Sequence, residues 1–227
     1  MVERLIRYIS IFLALIIVLP LHEFAHAFVA DKSGDFTPRI NGRYTLNPLA
    51  HFDILGLIMF VLAGFGWAKP VPVNPANFKH YKLDSFLVAI AGVLTNYLTA
   101  FIFLPLVYLS LYIPEFGLFT TVLQRTLSYV VILSLVFCVF NLLPIFPLDG
   151  FRVIDTFIRR RNKFYYNYKT YGIYVLYALV FMSFLADWTG LYYLDVLGIA
   201  IDFAVKYISV PITAFWKLLG VGIFYYV

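Results

Sequence analysis

The sequence predicts an all-α polytopic membrane protein with about five transmembrane helices, give or take one, a re-entrant segment and a small β-hairpin on the cytoplasmic side. Composition is the first observation behind this. The 227 residues are 63% hydrophobic, 20% aromatic and 13% charged, with mean hydropathy +0.88, and a soluble core of this size cannot bury so much apolar surface. The second is the placement of charge. Six Lys or Arg lie between residues 31 and 84, six more between 152 and 169, and none between 113 and 119, so the two basic regions are expected to face the cytoplasm. The formal charge of +5 therefore reports topology, and no nucleic-acid partner is expected, because the basic residues form no polar surface with interleaved aromatics. The third is the absence of any internal repeat, low-complexity tract or long polar linker, which leaves no sign of an appended soluble domain. Cys138 is the lone cysteine; it allows no intrachain disulfide and reads as packing.

The first span covers roughly residues 5–30. The next stretch holds Gly34, Pro38, Asn41-Gly42 and Pro48; Asn-Gly is a tight-turn signal, and 37–40 with 43–46 could flank it as the hairpin. Residues 54–68 are apolar but make only about 22 Å of helix, short for a crossing. The segment 69–75, Lys-Pro-Val-Pro-Val-Asn-Pro, must be extended. A span at 86–112 carries Gly92, Asn96 and a kink expected at Pro105, and a further span at 119–143 ends at Pro144 and Pro147. Tyr165, Tyr166 and Tyr168 read as an interfacial belt for a span at 171–186. Beyond residue 191, Asp195, Asp202, Lys206 and Pro211 fit either one span plus an interfacial helix or two spans.

His22-Glu23-Phe24-Ala25-His26 stands out because it puts three ionisable groups inside an apolar run, where they are expensive. On a helix, His22 and His26 share a face one turn apart and can grip one cation through neutral ring nitrogens, with Glu23 beside them to polarise a water. HExxH on a helix is a zinc-hydrolase signature. The alternatives are polar residues satisfied at a helix end, or a signal sequence: Arg4, Arg7, the apolar run and Ala25-His26-Ala27 imitate one.

Two histidines leave a catalytic cation short of a third protein ligand. His51, His80 and a few carboxylates are the candidates, and Asp149 is favoured because it follows a proline-broken segment at membrane depth. If 54–68 crossed the bilayer, His22 and Asp149 would lie at opposite faces, roughly 30 Å apart. If it dips in and returns, both reach the cytoplasmic face, so the segment is taken as re-entrant, with the N-terminus outside despite Arg4 and Arg7. His51 remains an alternative ligand, and His80 reads as surface.

HEFAH together with NLLPIFPLDG closely resembles the site-2 protease family of intramembrane zinc metalloproteases (peptidase M50). GRYTLNPLAHFD, FGWAKPVPVNP and AGVLTN are similar to its compact prokaryotic branch without PDZ or CBS domains. The resemblance implies a single intramembrane metalloprotease domain over 1–227, with a catalytic core at about 1–152 and accessory C-terminal helices at about 153–227. It implies one zinc ion on His22, His26 and Asp149, Glu23 as general base and acid, and Asn141 and Asn96 on the substrate side. Val93 and Phe146 stand where many members have proline, which bears on groove shape more than on chemistry.

The activity so implied is hydrolysis of transmembrane segments of membrane proteins at the cytoplasmic side of the cell membrane. Glu23 would take a proton from the activated water and pass it to the leaving amine. Asn141 and Asn96 could orient the substrate backbone or stabilise the oxyanion, or simply join helices. The hairpin, or residues 71–75, could offer an edge to an unwound substrate strand. Two other classes stay open: a catalytically silent member that binds membrane proteins, and a metal-ion transporter.

Overall fold

Five long apolar helices dominate the computed structural model, which describes residues 1–56, 59, 66–159 and 161–221. In chain order they are α1 (Val2–Lys32), then, after the short helices α2 (Thr37–Ile40) and α3 (Pro48–His51) and a 3-10 turn at Pro75–Asn77, α4 (Tyr81–Ser110) and α5 (Leu118–Leu142). The amphipathic α6 (Asp149–Phe157) precedes α7 (Lys163–Thr189), and a 3-10 turn at Tyr192–Leu194 leads into α8 (Val196–Leu218). Helices α1, α4, α5, α7 and α8 are each long and apolar enough to cross a membrane, so the chain is a multi-pass membrane protein with the expected number of spans. Among the described residues after 191 there is one such helix, running through Pro211, and α4 likewise runs through Pro105.

Two contacts orient the inner helices. Arg125 Nη2 meets Glu3 Oε2 at 2.7 Å, which sets the start of α5 beside the start of α1. The Lys79 backbone N–H donates to the Ser33 carbonyl at 3.0 Å, which sets the start of α4 beside the end of α1. Helices α1 and α5 therefore run one way and α4 the other. In lipid there is little hydrophobic gain from joining apolar helices, so close packing of small side chains must do the work. Ala14, Val18 and Val130 supply it between α1 and α5, and Ala100, Leu104, Val107, Val131 and Leu135 between α4 and α5. Helix α8 docks on the outside of this group through Leu197, Ile201 and Ile212, and through Trp216 Nε1–H donated to the Phe101 carbonyl at 2.8 Å.

The expected hairpin is corrected. No strand occurs among the described residues, and residues 37–40 form a helical turn rather than a β-arm. Pro38 in the first turn suits a helix start, and Asp35 Oδ1 accepts from the Thr37 backbone N–H at 3.1 Å, which nucleates the turn. The Asn41-Gly42 turn does form, with Gly42 at φ 67°. The re-entrant expectation for 54–68 falls largely on residues outside those described. Its two ends lie side by side: Phe52 and Ala68 form an isolated antiparallel bridge, and the Lys69 N–H donates to the His51 carbonyl at 2.8 Å.

Candidate metal centre

His22 and His26 occupy the last third of α1, on the face turned toward α4, and both are buried. Asp149 reaches them from the opposite direction in the sequence. Leu143, which precedes Pro144, takes the extended conformation that proline imposes on its predecessor, and α5 stops there. The Leu148 N–H folds back onto the Ile145 carbonyl at 2.8 Å, and Asp149 opens α6, where a carboxylate also suits the helix dipole. A Cβ on Gly150 would sit 2.5 Å from the Leu142 carbonyl carbon, so a glycine is what lets α6 tuck beneath the end of α5.

The three donor atoms form a small triangle. Asp149 Oδ2 lies 3.1 Å from His26 Nε2 and 3.4 Å from His22 Nε2, and the two Nε2 atoms are 3.2 Å apart. Ligand atoms held 2.0–2.1 Å from a tetrahedral cation stand roughly 3.3–3.4 Å from one another, so the triangle has the size such an ion needs. Asp149 Oδ2 is buried and makes no hydrogen bond, which is costly for a carboxylate oxygen unless a cation takes that place. His, His and Asp together are a zinc-type donor set. Among the described residues this is the one group of three or more His, Cys, Asp or Glu close enough to share an ion.

Helix α4 backs both rings. His26 Nδ1 is 2.7 Å from the Val88 carbonyl and His22 Nδ1 is 3.0 Å from the Asn96 amide, with Gly92 between them. A Cβ on Gly92 would lie 2.5 Å from His22 Cε1 and 2.7 Å from His22 Nδ1, and closer still to His26 Nε2. The absence of a side chain there is what admits the imidazoles. Glu23 is buried next to the pair, and its Oε2 accepts the Val71 N–H at 2.9 Å.

That contact belongs to a network across the extended segment 69–74. Arg43, itself buried, donates from Nη2 to the Lys69 and Pro70 carbonyls at 3.3 and 3.4 Å. Asp35 accepts from the Asn74 N–H at 2.7 Å, from Asn77 Nδ2 at 2.8 Å and from both polar groups of Thr37. Burial pushes the Asp35 pKa up, but these donors outweigh it and hold the carboxyl below its usual range.

Of the residues singled out from sequence, His22, His26 and Asp149 come together, with Glu23 beside them. His51 does not join the group; its Nε2 is 2.8 Å from the Thr45 carbonyl. His80 is exposed at the start of α4, and Asn141 donates from Nδ2 to the Phe137 carbonyl one turn back at 3.0 Å. Gly92, Asp35 and Arg43 were not expected. A glycine inside an apolar helix costs roughly 1 kcal/mol against alanine and is a legible signal, whereas nothing local marks Asp35 or Arg43.

Residues 10–183 match the family model of Peptidase family M50. The chain belongs to this family, the site-2 protease family. Relatives of this M50 chain include "Putative zinc metalloprotease YwhC" of Bacillus subtilis, 46% identical over 148 residues, which cover 64% of this chain and 68% of that one. "Putative zinc metalloprotease Rip2" of Mycobacterium tuberculosis is 30% identical over 156 residues, 67% of this chain and 58% of its own length. The protein of the same name from Mycolicibacterium smegmatis is 29% identical over 161 residues, with 67% and 60% covered. The chain thus spans about three fifths of the Rip2 proteins. No solved structure matches it. Five apolar helices and membership of M50 together make the protein a membrane metalloprotease of a zinc family.

Proposed function

We propose that this M50 protein is an intramembrane zinc endopeptidase that cuts transmembrane segments of membrane-protein substrates near the cytoplasmic face of the cell membrane. The observation that carries the reading is the triangle of His22 Nε2, His26 Nε2 and Asp149 Oδ2, brought together from the two ends of the α1–α6 sequence at one end of the bundle. These three residues would hold one ion. A zinc ion there supplies Lewis acidity, polarising the scissile carbonyl and lowering a water's pKa from 15.7 toward about 7.

The chain's own residues do the rest. Glu23, one residue from a ligand and buried, takes the proton of the attacking water on a carboxylate oxygen and delivers it to the leaving amine. Its Oε2 is already aimed by the Val71 N–H, which leaves Oε1 for the transfer. A transmembrane substrate must unwind before its peptide carbonyl can be attacked, because a helix ties up its own backbone. The extended segment 71–74 offers backbone groups beside Glu23 with which an unwound strand could pair. Asn141, at the end of α5 near the Asp149 loop, is a candidate for orienting that strand.

Sidedness rests on charge. The end of the bundle with the triangle also carries Lys32, Arg39, Arg43, Lys69, Lys79 and Lys82, which favours the cytoplasm. The paired ends of 54–68 support a segment that enters and leaves on that same side. A transporter would need further ligands along a path, and a silent homologue would commonly lack Glu23 or a ligand; neither pattern is favoured here.

The test uses zinc-loaded protein in liposomes with a panel of single-span substrates, comparing wild type with Glu23→Gln. Wild type is expected to cut and the variant to be slower by about 10²–10⁴-fold with its zinc retained. Equal cleavage by both, or none by either with the zinc site filled, would overturn the proposal.

A further inference from the structure

Asn96 was expected on the substrate side, yet its placement points elsewhere. It is completely buried, and its amide lies 3.0 Å from His22 Nδ1, the ring nitrogen that faces away from the triangle. The other ligand ring is backed in the same way: His26 Nδ1 is 2.7 Å from the Val88 carbonyl, an atom that can only accept, so Nδ1 of His26 carries the ring proton and Nε2 keeps its lone pair. Val88, Gly92 and Asn96 follow one another at four-residue intervals, and so share one face of α4. That face meets the His22–His26 face of α1 in antiparallel order, with the bare Gly92 backbone at the crossing.

The Asn96 side chain offers an oxygen or an NH2 to Nδ1, and the two have nearly the same shape. With the NH2 facing Nδ1, the ring proton must sit on Nε2, inside the triangle, where no lone pair would then be left for a cation. With Oδ1 facing Nδ1, the ring donates outward and Nε2 is free to ligate. In the first case Oδ1 is left buried without a hydrogen-bond partner, so the amide's own bonds do not compel that orientation and another constraint must choose between the two. The ligand role of His22 does.

Resting on the zinc reading above, we infer that Asn96 is a positioning residue: its Oδ1 accepts from His22 Nδ1–H and fixes the tautomer in which Nε2 binds the ion, as the Val88 carbonyl does for His26. It acts through the imidazole rather than on the substrate oxyanion. Outer partners of this kind change metal affinity by roughly 10–100-fold when removed.

Zinc affinity measured by chelator competition on the purified full chain tests this with Asn96→Asp and Asn96→Leu. Asp still accepts from Nδ1–H and should keep affinity within about threefold of wild type, while Leu should lose about 10–100-fold. If Asn96→Leu binds zinc like wild type and only cleavage slows, the oxyanion role stands and this inference fails; if Asp loses as much as Leu, it fails as well. Nitrogen-15 NMR of histidine-labelled, zinc-loaded wild type gives a check that needs no variant: protons on Nδ1 of both His22 and His26 are expected, and a proton on His22 Nε2 overturns it. Absence of zinc binding by wild type would instead sink the zinc reading itself.

Discussion

The inner helices α1, α4 and α5 and the outer pair α7 and α8 are equally able to cross a bilayer, yet they are built to different rules. The most apolar stretches of the inner three are 39–50% buried within the protein, against 17% and 22% for the outer two. Small residues and polar groups fill the inner contacts, from Ala14 and Ser134 to Asn96, while Phe181, Phe203 and Tyr207 project outward. The ionisable groups of the metal centre, His22, Glu23, His26 and Asp149, sit where protein, not lipid, is the solvent. The outer pair contributes support: Tyr165 and Tyr168 of α7 stack on Phe151, and Tyr168 Oη bonds the Pro144 carbonyl, bracing the turn that presents Asp149.

One substitution made in both regions sharpens this difference most. Gly92→Ala drives a methyl into the imidazoles and should lower zinc affinity at least about tenfold, with cleavage falling in step. Gly172→Ala in α7 meets the Phe146 backbone nitrogen at 3.2 Å, a contact that calls for a shift of only a few tenths of an ångström, and cleavage should stay within about threefold of wild type. Equal losses in the two variants would erase the distinction.

A smaller effect is expected at the loop that roofs the site. Because the folded pKa of Asp35 is depressed, its contribution is complete above the unfolded value of about 3.9 and is lost as pH falls through the folded value. Asp35→Asn should melt below wild type at neutral pH, by about 1–3 kcal/mol of lost hydrogen bonding, with the gap closing under strongly acid conditions. A pH-independent gap in thermal melts would contradict this. The least effect belongs to the lipid face of α8: Phe203→Leu, at a side chain 64% exposed from the protein, should leave cleavage within about twofold.

Much of the site was legible because membrane sequences make polarity conspicuous. His22, Glu23, His26 and Asp149 each interrupt an apolar or proline-broken run, and the impossibility of sharing an ion across a bilayer linked them. Other features had no such contrast. Thr37–Ile40 was misjudged because the Asn-Gly turn outweighed Pro38 and the Asp35 carboxylate, which start a helical turn. The Val71 N–H on Glu23 and the Arg43 bonds to 69–70 are backbone contacts across 26 to 48 positions, and no spacing rule encodes them. The partner of His22 Nδ1 depends on the register between α1 and α4, which Gly92 permits but does not reveal.

Zinc content per chain of purified wild type, measured beside Asp149→Ala, bears most directly on the central claim. The geometry predicts one zinc per wild-type chain and a clear loss of it on removing the carboxylate. Full zinc retention in the variant, or no zinc in wild type, would contradict a site closed by His22, His26 and Asp149.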